Sequence, residues 1–448
     1  CALMGRTLVR RVHASFNSPL APENFELSHE ARSALPGRRT AASRLSLCRA
    51  FAIVCTVLLL LLTLGGCTTV VQRNPVPERL LDAAEVPGFP NVRFWGDELP
   101  ENAVNMMHLS HERQLASGLL YDDSGNPRPL TFLALSGGGA EGAFGAGLLS
   151  GWTATGARPE FSVVTGVSTG ALIAPFAFLG SEYDHLLKRF YTTTHTHHIF
   201  RRRSPLSILG RDSFSDTSPL RKLLDEHIND GFLEQVAREY VRGRTLWLGT
   251  TNLDSQRPVI WDMGAIASSG HPRAAELFRS IMMASSAIGG AFPPVYLPVE
   301  ADGQHYDEMH VDGGTSNQVF LYPAAFDLKA LSESTGVERE RVVYVIRNAK
   351  VSPQWRAVEP RLGQIAVRSV ATLIKTQGIG DLFRIYVGAL RDGMDYRLAY
   401  IPTEFDAESD AQFDPVYMRK LFDFAHGLAK NGYPWVQEPP GFAPPEVK

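Results

Sequence analysis

The chain has 448 residues, of which 44% are apolar and 20% are charged, and its net charge at pH 7 is −3. This composition is that of a globular protein and excludes a disordered or collagen-like chain. Residues 1–50 carry eight arginines and three glutamates, and residues 51–67 carry no charge, so residues 68–448 have a net charge of −8. An acidic body gives no electrostatic reason to expect nucleic-acid binding.

Cysteine is confined to the start of the chain. Its four copies, Cys1, Cys48, Cys55 and Cys67, all precede residue 68. The rest of the chain therefore offers no disulfide, no thiolate metal site and no cysteine nucleophile. A body without cysteine suits an oxidising compartment, where an unpaired thiol would react.

Residues 50–66 form an uncharged, mostly apolar segment that follows Arg49 and ends in Leu-Gly-Gly before Cys67. A basic residue, an apolar run and small residues before a cleavage point are typical of a secretory signal. The last four residues resemble the bacterial lipobox, whose cysteine is diacylated before cleavage. We expect a membrane-anchored lipoprotein of the bacterial cell envelope, lipidated on Cys67. Thr68, at a position where aspartate resembles an inner-membrane retention signal, favours the outer membrane.

A transmembrane anchor is the alternative for this segment, but 17 residues ending in two glycines are short for a span. Residues 1–44 precede the signal, and the chain starts with Cys1 rather than methionine. We expect translation to begin near Leu45, and we assign residues 1–67 to this upstream segment and the signal peptide. Residues 68–126 are rich in proline and polar residues, which is typical of a tether and a lead-in to the next domain.

Strand and helix patterns alternate along most of the chain after residue 100. The predicted strands span residues 131–135, 161–165, 245–249, 259–261, 296–299 and 342–346. The predicted helices span residues 106–120, 171–179, 219–228, 271–283 and 362–375, and a further helix begins at Asp414 and Pro415. Short apolar strands alternating with helices predict a three-layer α/β/α fold with a mostly parallel central sheet.

The first chemical motif is Gly166-Val167-Ser168-Thr169-Gly170, a G-x-S-x-G sequence between a predicted strand and a predicted helix. At such a junction a sharp turn exposes the serine hydroxyl, and the glycines remove Cβ atoms that would collide with the strand and the helix. By chance the same pentapeptide also arises as a glycine-rich turn with a serine helix cap. The strand-to-helix context favours Ser168 as a nucleophile.

A second motif, Gly137-Gly138-Gly139, follows the first predicted strand. Consecutive glycines let backbone N–H groups converge, and such a loop can hold either the oxyanion of an acyl-transfer intermediate or a phosphate. A P-loop is excluded because no Gly-Lys-Ser/Thr follows. A nucleotide-binding oxidoreductase stays an alternative because Gly142 completes G-x-G-x-x-G. Its expected acidic residue is matched only by Glu160, which precedes a strand.

The third motif is Asp312-Gly313-Gly314. Taken alone, it more often marks an ordinary Asp-Gly turn than a carboxylate directed into a cleft. In their order along the chain, however, the three motifs resemble the patatin-like phospholipase family. The pattern of that family is a glycine-rich oxyanion loop, a G-x-S-x-G serine and a D-G-G or D-G-A aspartate. Residues 284–295 are also similar to the segment that this family has between its serine and its aspartate.

The resemblance extends over residues 130–346. It implies that Ser168 is the nucleophile, that Asp312 is its acid–base partner, and that the backbone of residues 137–139 forms the oxyanion hole. The implied reaction is hydrolysis of a phospholipid or another lipid ester through an acyl-serine, with no metal and no organic cofactor. We therefore assign residues 127–346 to a catalytic domain. Residues 347–448 form a C-terminal extension that packs on it.

Two positions depart from the pattern of the family. Ser136 stands where many members have aspartate, and Glu141 stands where many have arginine or lysine. This departure weakens the expectation of a phospholipid substrate more than that of ester hydrolysis, which needs only backbone donors. A free aspartate, with a pKa near 3.9, is a weak base. We therefore expect burial beside an apolar cleft to raise the pKa of Asp312.

A histidine triad on an α/β-hydrolase fold is the alternative catalytic arrangement. That fold orders its residues as serine, acid and histidine, and His426 is the only histidine after Asp312. An earlier acid with an earlier histidine is also compatible: Asp254 or Asp262 with His271, His305 or His310. The alternative from a different class is a non-catalytic envelope lipoprotein that binds lipid or a partner on the same scaffold.

A cluster of histidines, His195, His197 and His198, stands beside three arginines at positions 201–203. A metal site would need carboxylates or further histidines at regular spacing, and none is evident nearby. We interpret the cluster as an exposed basic loop that rests on anionic lipid head groups.

Overall fold

The computed structural model describes residues 73–204, 212–333, 335–409 and 411–442, together with Ile53 and Thr56. The predicted lipidation site, Cys67, and nearly all of the predicted signal lie outside the described residues. Among the helices in these ranges, none is long and apolar enough to cross a membrane.

The described strands are β1 (Arg93–Trp95), β2 (Leu130–Leu135), β3 (Val163–Val167), β4 (Arg201–Arg202), β5 (Ser215–Asp216), β6 (Thr245–Asn252), β7 (Arg257–Asp262), β8 (Val295–Ala301), β9 (Gln304–Asp312), β10 (Arg341–Arg347) and β11 (Asp395–Tyr400). The described α-helices are α1 (Ala103–Ala116), α2 (Gly142–Thr153), α3 (Thr169–Leu179), α4 (Asp184–Thr193), α5 (Thr196–Ile199), α6 (Ser218–His227), α7 (Asp230–Val241), α8 (Met263–Ser268), α9 (Ala274–Ser285), α10 (Leu328–Glu333), α11 (Leu362–Arg391) and α12 (Pro415–Lys430).

A mostly parallel sheet forms the centre of the molecule. Strands β6, β3, β2, β10 and β11 are neighbours in that order, and each pairs with the next in parallel. Strands β7 and β9 add to β6 in antiparallel orientation, followed by β1 beside β7 and β8 beside β9. The five parallel strands are rich in apolar residues on both faces, as expected for a sheet that is covered on both sides.

Helices cover both faces of this sheet. On one face a continuous core joins side chains of α2, α3, α9 and α12 to the strands, with Phe144, Phe178, Phe278 and Phe422 among its buried aromatic residues. On the other face, α1 and α11 pack over the sheet through residues such as Leu382. The predicted three-layer α/β/α fold with a mostly parallel sheet is therefore confirmed.

The predicted elements are largely present, with shifted ends. Strand β3 begins two residues later than predicted, so it ends directly before Ser168. Helix α11 extends to Arg391 instead of ending at residue 375. Strand β9 was missed because its first five residues are all polar or titratable, so no apolar run marks it in the sequence. Residues 68–448 form one compact unit, within which β11 joins the sheet and α12 packs on α2. The domain boundaries at residues 126 and 346 stay predictions.

Candidate active site

Ser168 occupies the turn that joins β3 to α3. Its backbone has φ +54° and ψ −123°, a conformation that residues other than glycine rarely adopt. A Cβ atom at Gly166 would lie 2.5 Å from the carbonyl oxygen of Gly170, and one at Gly170 would lie 2.3 Å from that of Leu135. Glycine is therefore required on both sides of the serine, which accounts for the G-x-S-x-G spacing.

A second serine holds this turn in place. The backbone N–H of Ser168 donates to the hydroxyl of Ser285 at 3.0 Å, and that hydroxyl donates to the carbonyl oxygen of Gly249 at 2.6 Å. Ser285 is fully buried at the end of α9, and it belongs to the segment that sequence analysis singled out without giving it a role. The segment therefore positions the nucleophile turn from the neighbouring helix.

The sheet brings Ser168 and Asp312 together although 144 positions separate them in the sequence. The last residue of β3, Val167, is paired with Gly249 of β6, and the last residue of β9, Asp312, is paired with the next residue of β6, Thr250. Strand β3 pairs with β6 up to Gly249, and β9 pairs with the same side of β6 from Thr250 onward. Both motif residues consequently lie at the same point of the sheet.

The carboxyl group of Asp312 is held by backbone and side-chain donors. Its Oδ1 accepts the backbone N–H of Gly314 at 2.7 Å, and the side chain of Ser168 is close enough to lower the pKa of the carboxyl group as a donor. Burial raises the pKa of Asp312 to about 6, although both donors oppose the rise. Gly313 is needed because a Cβ atom there would lie 2.4 Å from the carbonyl oxygen of Gly249.

The glycine loop at residues 137–139 lies against the serine. A Cβ atom at Gly137 would be 3.2 Å from the Cβ of Ser168. The backbone N–H of Gly137 donates to the carbonyl oxygen of Gln318 at 2.9 Å. Within the described parts of the chain, the N–H groups of Gly138 and Gly139 have no comparable backbone acceptor outside regular elements.

Asn348, which sequence analysis did not single out, secures the loop. This fully buried side chain donates through Nδ2 to the carbonyl oxygen of Ser136 at 2.9 Å and accepts the N–H of Gly145 at 3.0 Å. Its backbone N–H donates to the hydroxyl of Ser136 at 2.8 Å, and that hydroxyl donates to the carbonyl of Gly137. Asn348 directly follows β10, which pairs with β2. Its contact with the loop after β2 therefore depends on the strand order, which the sequence does not give.

Charged groups surround the same loop. Burial raises the pKa of Glu141 to about 7, although the charges of Arg347, Lys350 and Lys375 oppose the rise. The buried guanidinium of Arg347 lies 3.4 Å from the carbonyl oxygen of Gly137. The structure therefore places a cation beside the loop from β10, although the motif position itself holds Glu141.

The histidines considered for a triad lie in other surroundings. His310 is buried, and its ring nitrogens contact the hydroxyl of Thr250 at 2.9 Å and the carboxylate of Glu308 at 3.0 Å. The other three are placed as follows: His271 packs on Phe89, His305 pairs with Glu300, and His426 stacks on Phe422. Of the proposed acids, Asp254 pairs with Arg73, and Asp262 accepts the hydroxyl of Tyr240. Among the hydrogen bonds of the described residues, none joins these histidines to Ser168.

The cluster of His195, His197 and His198 is built by local contacts. The rings of His195 and His197 are stacked, the ring of His198 meets both edge-on, and its Nδ1 accepts the backbone N–H of His195 at the start of the short helix α5. In the part of the chain that the structure describes, no group of three or more histidine, cysteine or acidic residues is arranged to hold a metal ion. The neighbouring Arg201 and Arg202 are exposed on β4.

A family model matches the part of the chain that carries the three motifs. Residues 133–325 match the family model described as patatin-like phospholipase. The "cUMP-AMP-activated phospholipase" of Escherichia coli is 29% identical over 154 residues, which are 34% of this chain and 43% of that protein. The chain thus matches less than half the length of this relative.

Two solved structures match this chain at low identity and with low TM-scores. VipD from Legionella pneumophila is 14% identical, with a TM-score of 0.30, over 70% of this chain and 69% of that one. The human GIVD cytosolic phospholipase A2 is 10% identical, with a TM-score of 0.27, over 64% of this chain and 51% of that one. The similarity to the patatin-like phospholipase family therefore depends on the sequence match over residues 133–325, which includes all three motifs.

Proposed function

We propose that this protein hydrolyses a carboxylic ester of a lipid through an acyl intermediate on Ser168, with Asp312 as its only acid–base partner. One observation supports this proposal above the others. The serine on a strained turn interacts with a buried carboxyl group whose pKa is about 6. At neutral pH such a group is mostly ionised, so it can accept the proton of the hydroxyl, and it is a better base than a free aspartate.

In the first half of the reaction, Asp312 accepts the hydroxyl proton while the Oγ of Ser168 attacks the ester carbonyl carbon. The carbonyl oxygen becomes an oxyanion, which we assign to the backbone N–H groups of Gly138 and Gly139. The N–H of Gly137 is excluded from this role because it already donates to the carbonyl of Gln318. Collapse of the intermediate expels the alcohol, to which Asp312 returns the proton.

In the second half, water replaces the alcohol. Asp312 accepts a proton from the water, which attacks the acyl-Ser168 carbonyl at the same oxyanion site. Collapse releases the fatty acid and returns the proton to the Oγ of Ser168. A lipid ester is favoured as substrate because residues 133–325 match a phospholipase family model.

A substrate panel tests this function. The purified chain is assayed on phospholipids, lysophospholipids, monoglycerides and p-nitrophenyl esters beside its Ser168→Ala variant. We expect hydrolysis of at least one lipid ester and a loss of about 10³-fold or more in the variant. Ser285→Ala is not a suitable control, because Ser285 holds the turn. Substitution of the exposed Ser181 to alanine serves instead. Equal activity in folded wild type and Ser168→Ala would contradict the proposal, and a protein without esterase activity would support a lipid-binding role.

The second part of the proposal is attachment to the outer membrane through a diacylated Cys67. Its support is the lipobox-like sequence at the end of an apolar segment. Two acyl chains supply the two hydrophobic signals that stable anchoring requires. We expect Cys67→Ser to release the protein from the membrane fraction or to leave an unprocessed precursor. Mass spectrometry that found an unmodified Cys67 within an intact 50–66 segment would contradict this part.

A further inference from the structure

Helix α11 consists of two halves with opposite surroundings. Its second half packs on the body through buried residues, which include Leu382, Tyr386 and Ala389. Of residues 362–374, all except Arg368 are exposed to solvent. At 1.5 Å per residue, this first half is a helical segment about 20 Å long that no other described part of the chain covers.

The uncovered half is apolar, and so is the loop before it. The exposed fraction is 91% for Trp355 and 87% for Leu362. The large exposed apolar residues of this region are Trp355, Val358, Leu362, Ile365, Val367, Val370, Leu373 and Ile374. Isolated exposed apolar side chains are normal on a soluble protein, but a concentration of eight within 20 positions indicates an interaction site. We name residues 355–375 the docking surface.

The charges of the docking surface are mostly positive, although the body as a whole is acidic. Four basic residues accompany the apolar ones: Arg356, Arg361, Arg368 and Lys375. Its single acidic residue, Glu359, is paired with Arg361 at 3.1 Å. Apolar side chains flanked by basic ones suit the boundary between the head groups and the acyl chains of an anionic bilayer.

The docking surface adjoins the candidate active site. Where it meets the buried half of α11, a Cβ atom at Gly378 would lie 2.6 Å from the guanidinium of Arg347, so the helix rests directly on that side chain. One turn on, Asp381 accepts the backbone N–H of Gln318 at 2.7 Å. The carbonyl of Gln318 in turn accepts the N–H of Gly137. Two hydrogen bonds therefore link α11 to the loop beside Ser168.

We propose that residues 355–375 bind the surface of a bilayer that contains anionic phospholipid, with Trp355 and the apolar side chains of α11 inserted below the head groups. This contact is separate from the lipid on Cys67, because it needs no covalent anchor. Such binding would bring the active site at Ser168 to its lipid substrate, and this consequence rests on the function proposed above. The binding itself does not.

Fluorescence quenching of Trp355 tests the binding in the full chain. The Ser168→Ala protein is mixed with vesicles of phosphatidylcholine, or of phosphatidylcholine with one quarter phosphatidylglycerol, and the acyl chains of the phosphatidylcholine are brominated. The Trp355→Phe variant gives the signal of the other tryptophans, which is subtracted. Bromine quenches only an inserted indole, so attachment through Cys67 alone gives no Trp355 signal.

We expect Trp355 to be quenched in the anionic vesicles and much less in the neutral ones. Val370→Glu and Leu373→Glu should abolish the quenching. The matched control, Val387→Glu, changes a residue that is 63% exposed on the covered half of the same helix and should leave the quenching unchanged. Quenching that survives Val370→Glu and Leu373→Glu, or that is lost equally in Val387→Glu, would overturn the proposal.

A second measurement separates this proposal from the proposed function. With Ser168 restored, Leu373→Glu should lower hydrolysis of vesicle lipid by about tenfold or more and leave hydrolysis of a soluble p-nitrophenyl ester unchanged. If the enzyme hydrolyses nothing but Trp355 is quenched, the docking proposal stands and the catalytic one fails. A lipid-free dimer that the same glutamates dissociate would assign the surface to a second copy of the chain and overturn the docking proposal.

Discussion

Two buried aspartates end strands on opposite sides of β6, and they differ in the hydroxyl group that each one contacts. Asp262 ends β7 and Asp312 ends β9, and both strands pair with β6. Each carboxylate accepts the N–H of a backbone group just ahead, that of Ala265 at 2.9 Å and that of Gly314 at 2.7 Å. Burial raises the pKa of each to about 6. By burial and pKa alone, the two sites are equivalent.

The partner of each carboxylate distinguishes the two sites. Asp262 accepts the hydroxyl of Tyr240 at 3.3 Å, and the pKa of that phenol is itself raised to about 12, mainly by burial. Asp312 interacts instead with the side chain of Ser168, which the strained turn holds beside a glycine loop. A raised pKa thus reports that a carboxyl group is buried. The neighbouring nucleophile and oxyanion donors are what make such a group a candidate for catalysis.

The largest expected effect on activity comes from replacing Asp312, and the matching replacement of Asp262 is its control. Asp312→Asn should lower kcat/KM by about 10³-fold or more, because an amide cannot accept the hydroxyl proton. Asp262→Asn should leave activity within about threefold, since Asp262 contacts neither Ser168 nor the glycine loop. Initial rates on the best ester of the substrate panel measure both, with circular dichroism to verify folding. Equal losses in the two variants would remove the distinction between the sites.

The glycine loop, which only the Asp312 site has, gives the next largest effect. A Cβ atom at Gly138 would lie 2.1 Å from the carbonyl oxygen of Asn348, so Gly138→Ala must displace the loop. We expect kcat to fall about 10²–10³-fold with little change in KM, because the oxyanion exists only after attack. Gly139→Ala has open space for its methyl group but a φ of +58°, and its loss should be smaller. A rise in KM with kcat preserved would indicate a loop that binds the ground-state substrate.

The pH profile sharpens the comparison, because both carboxylates have a pKa of about 6. The proposed base acts in its ionised form, so kcat/KM should be level above pH 7. It should fall about tenfold per unit as the pH drops below about 6 and Asp312 becomes protonated. Asp262→Asn should retain this profile. If the fall in kcat/KM at low pH disappeared in Asp262→Asn, the titrating group would be Asp262 and the assignment to Asp312 would be wrong.

The smallest effect concerns stability, in which the two sites should behave alike. The pKa of each carboxyl group is raised from 3.8 on folding, so each favours the native state below pH 3.8 and loses that contribution as the pH rises through 6. At pH 8, either asparagine variant should therefore raise the free energy of unfolding by about 1–3 kcal/mol. At pH 4 the gain should nearly disappear. Urea unfolding at the two pH values measures this difference. A variant that is less stable than wild type at pH 8 would contradict the argument that burial of the ionised carboxylate costs stability.

The sequence predicted the fold class and revealed the three motifs, because each motif is a local requirement for glycine or for a reactive side chain. The catalytic roles assigned to the motif residues stay predictions. The pairing of Ser168 and Asp312 through consecutive positions of β6 depends on strand order, which a single sequence does not contain. The same limit applies to the backbone N–H of Gly137. It donates to the carbonyl oxygen of Gln318, so it is not available to an oxyanion. Helix α11 continues past two glycines that local propensity would treat as its end, because Gly378 lets the helix rest on Arg347.

Reaction with a fluorophosphonate tests the central claim most directly, because the probe reports an activated serine without any assumption about the substrate. At pH 8 we expect the wild-type chain to be labelled on Ser168, as located by mass spectrometry of its peptides. Asp262→Asn should be labelled at the wild-type rate, and Asp312→Asn about 10³-fold more slowly. A label on another residue, or an Asp312→Asn variant that reacts as fast as wild type, would contradict the pairing of Ser168 with Asp312.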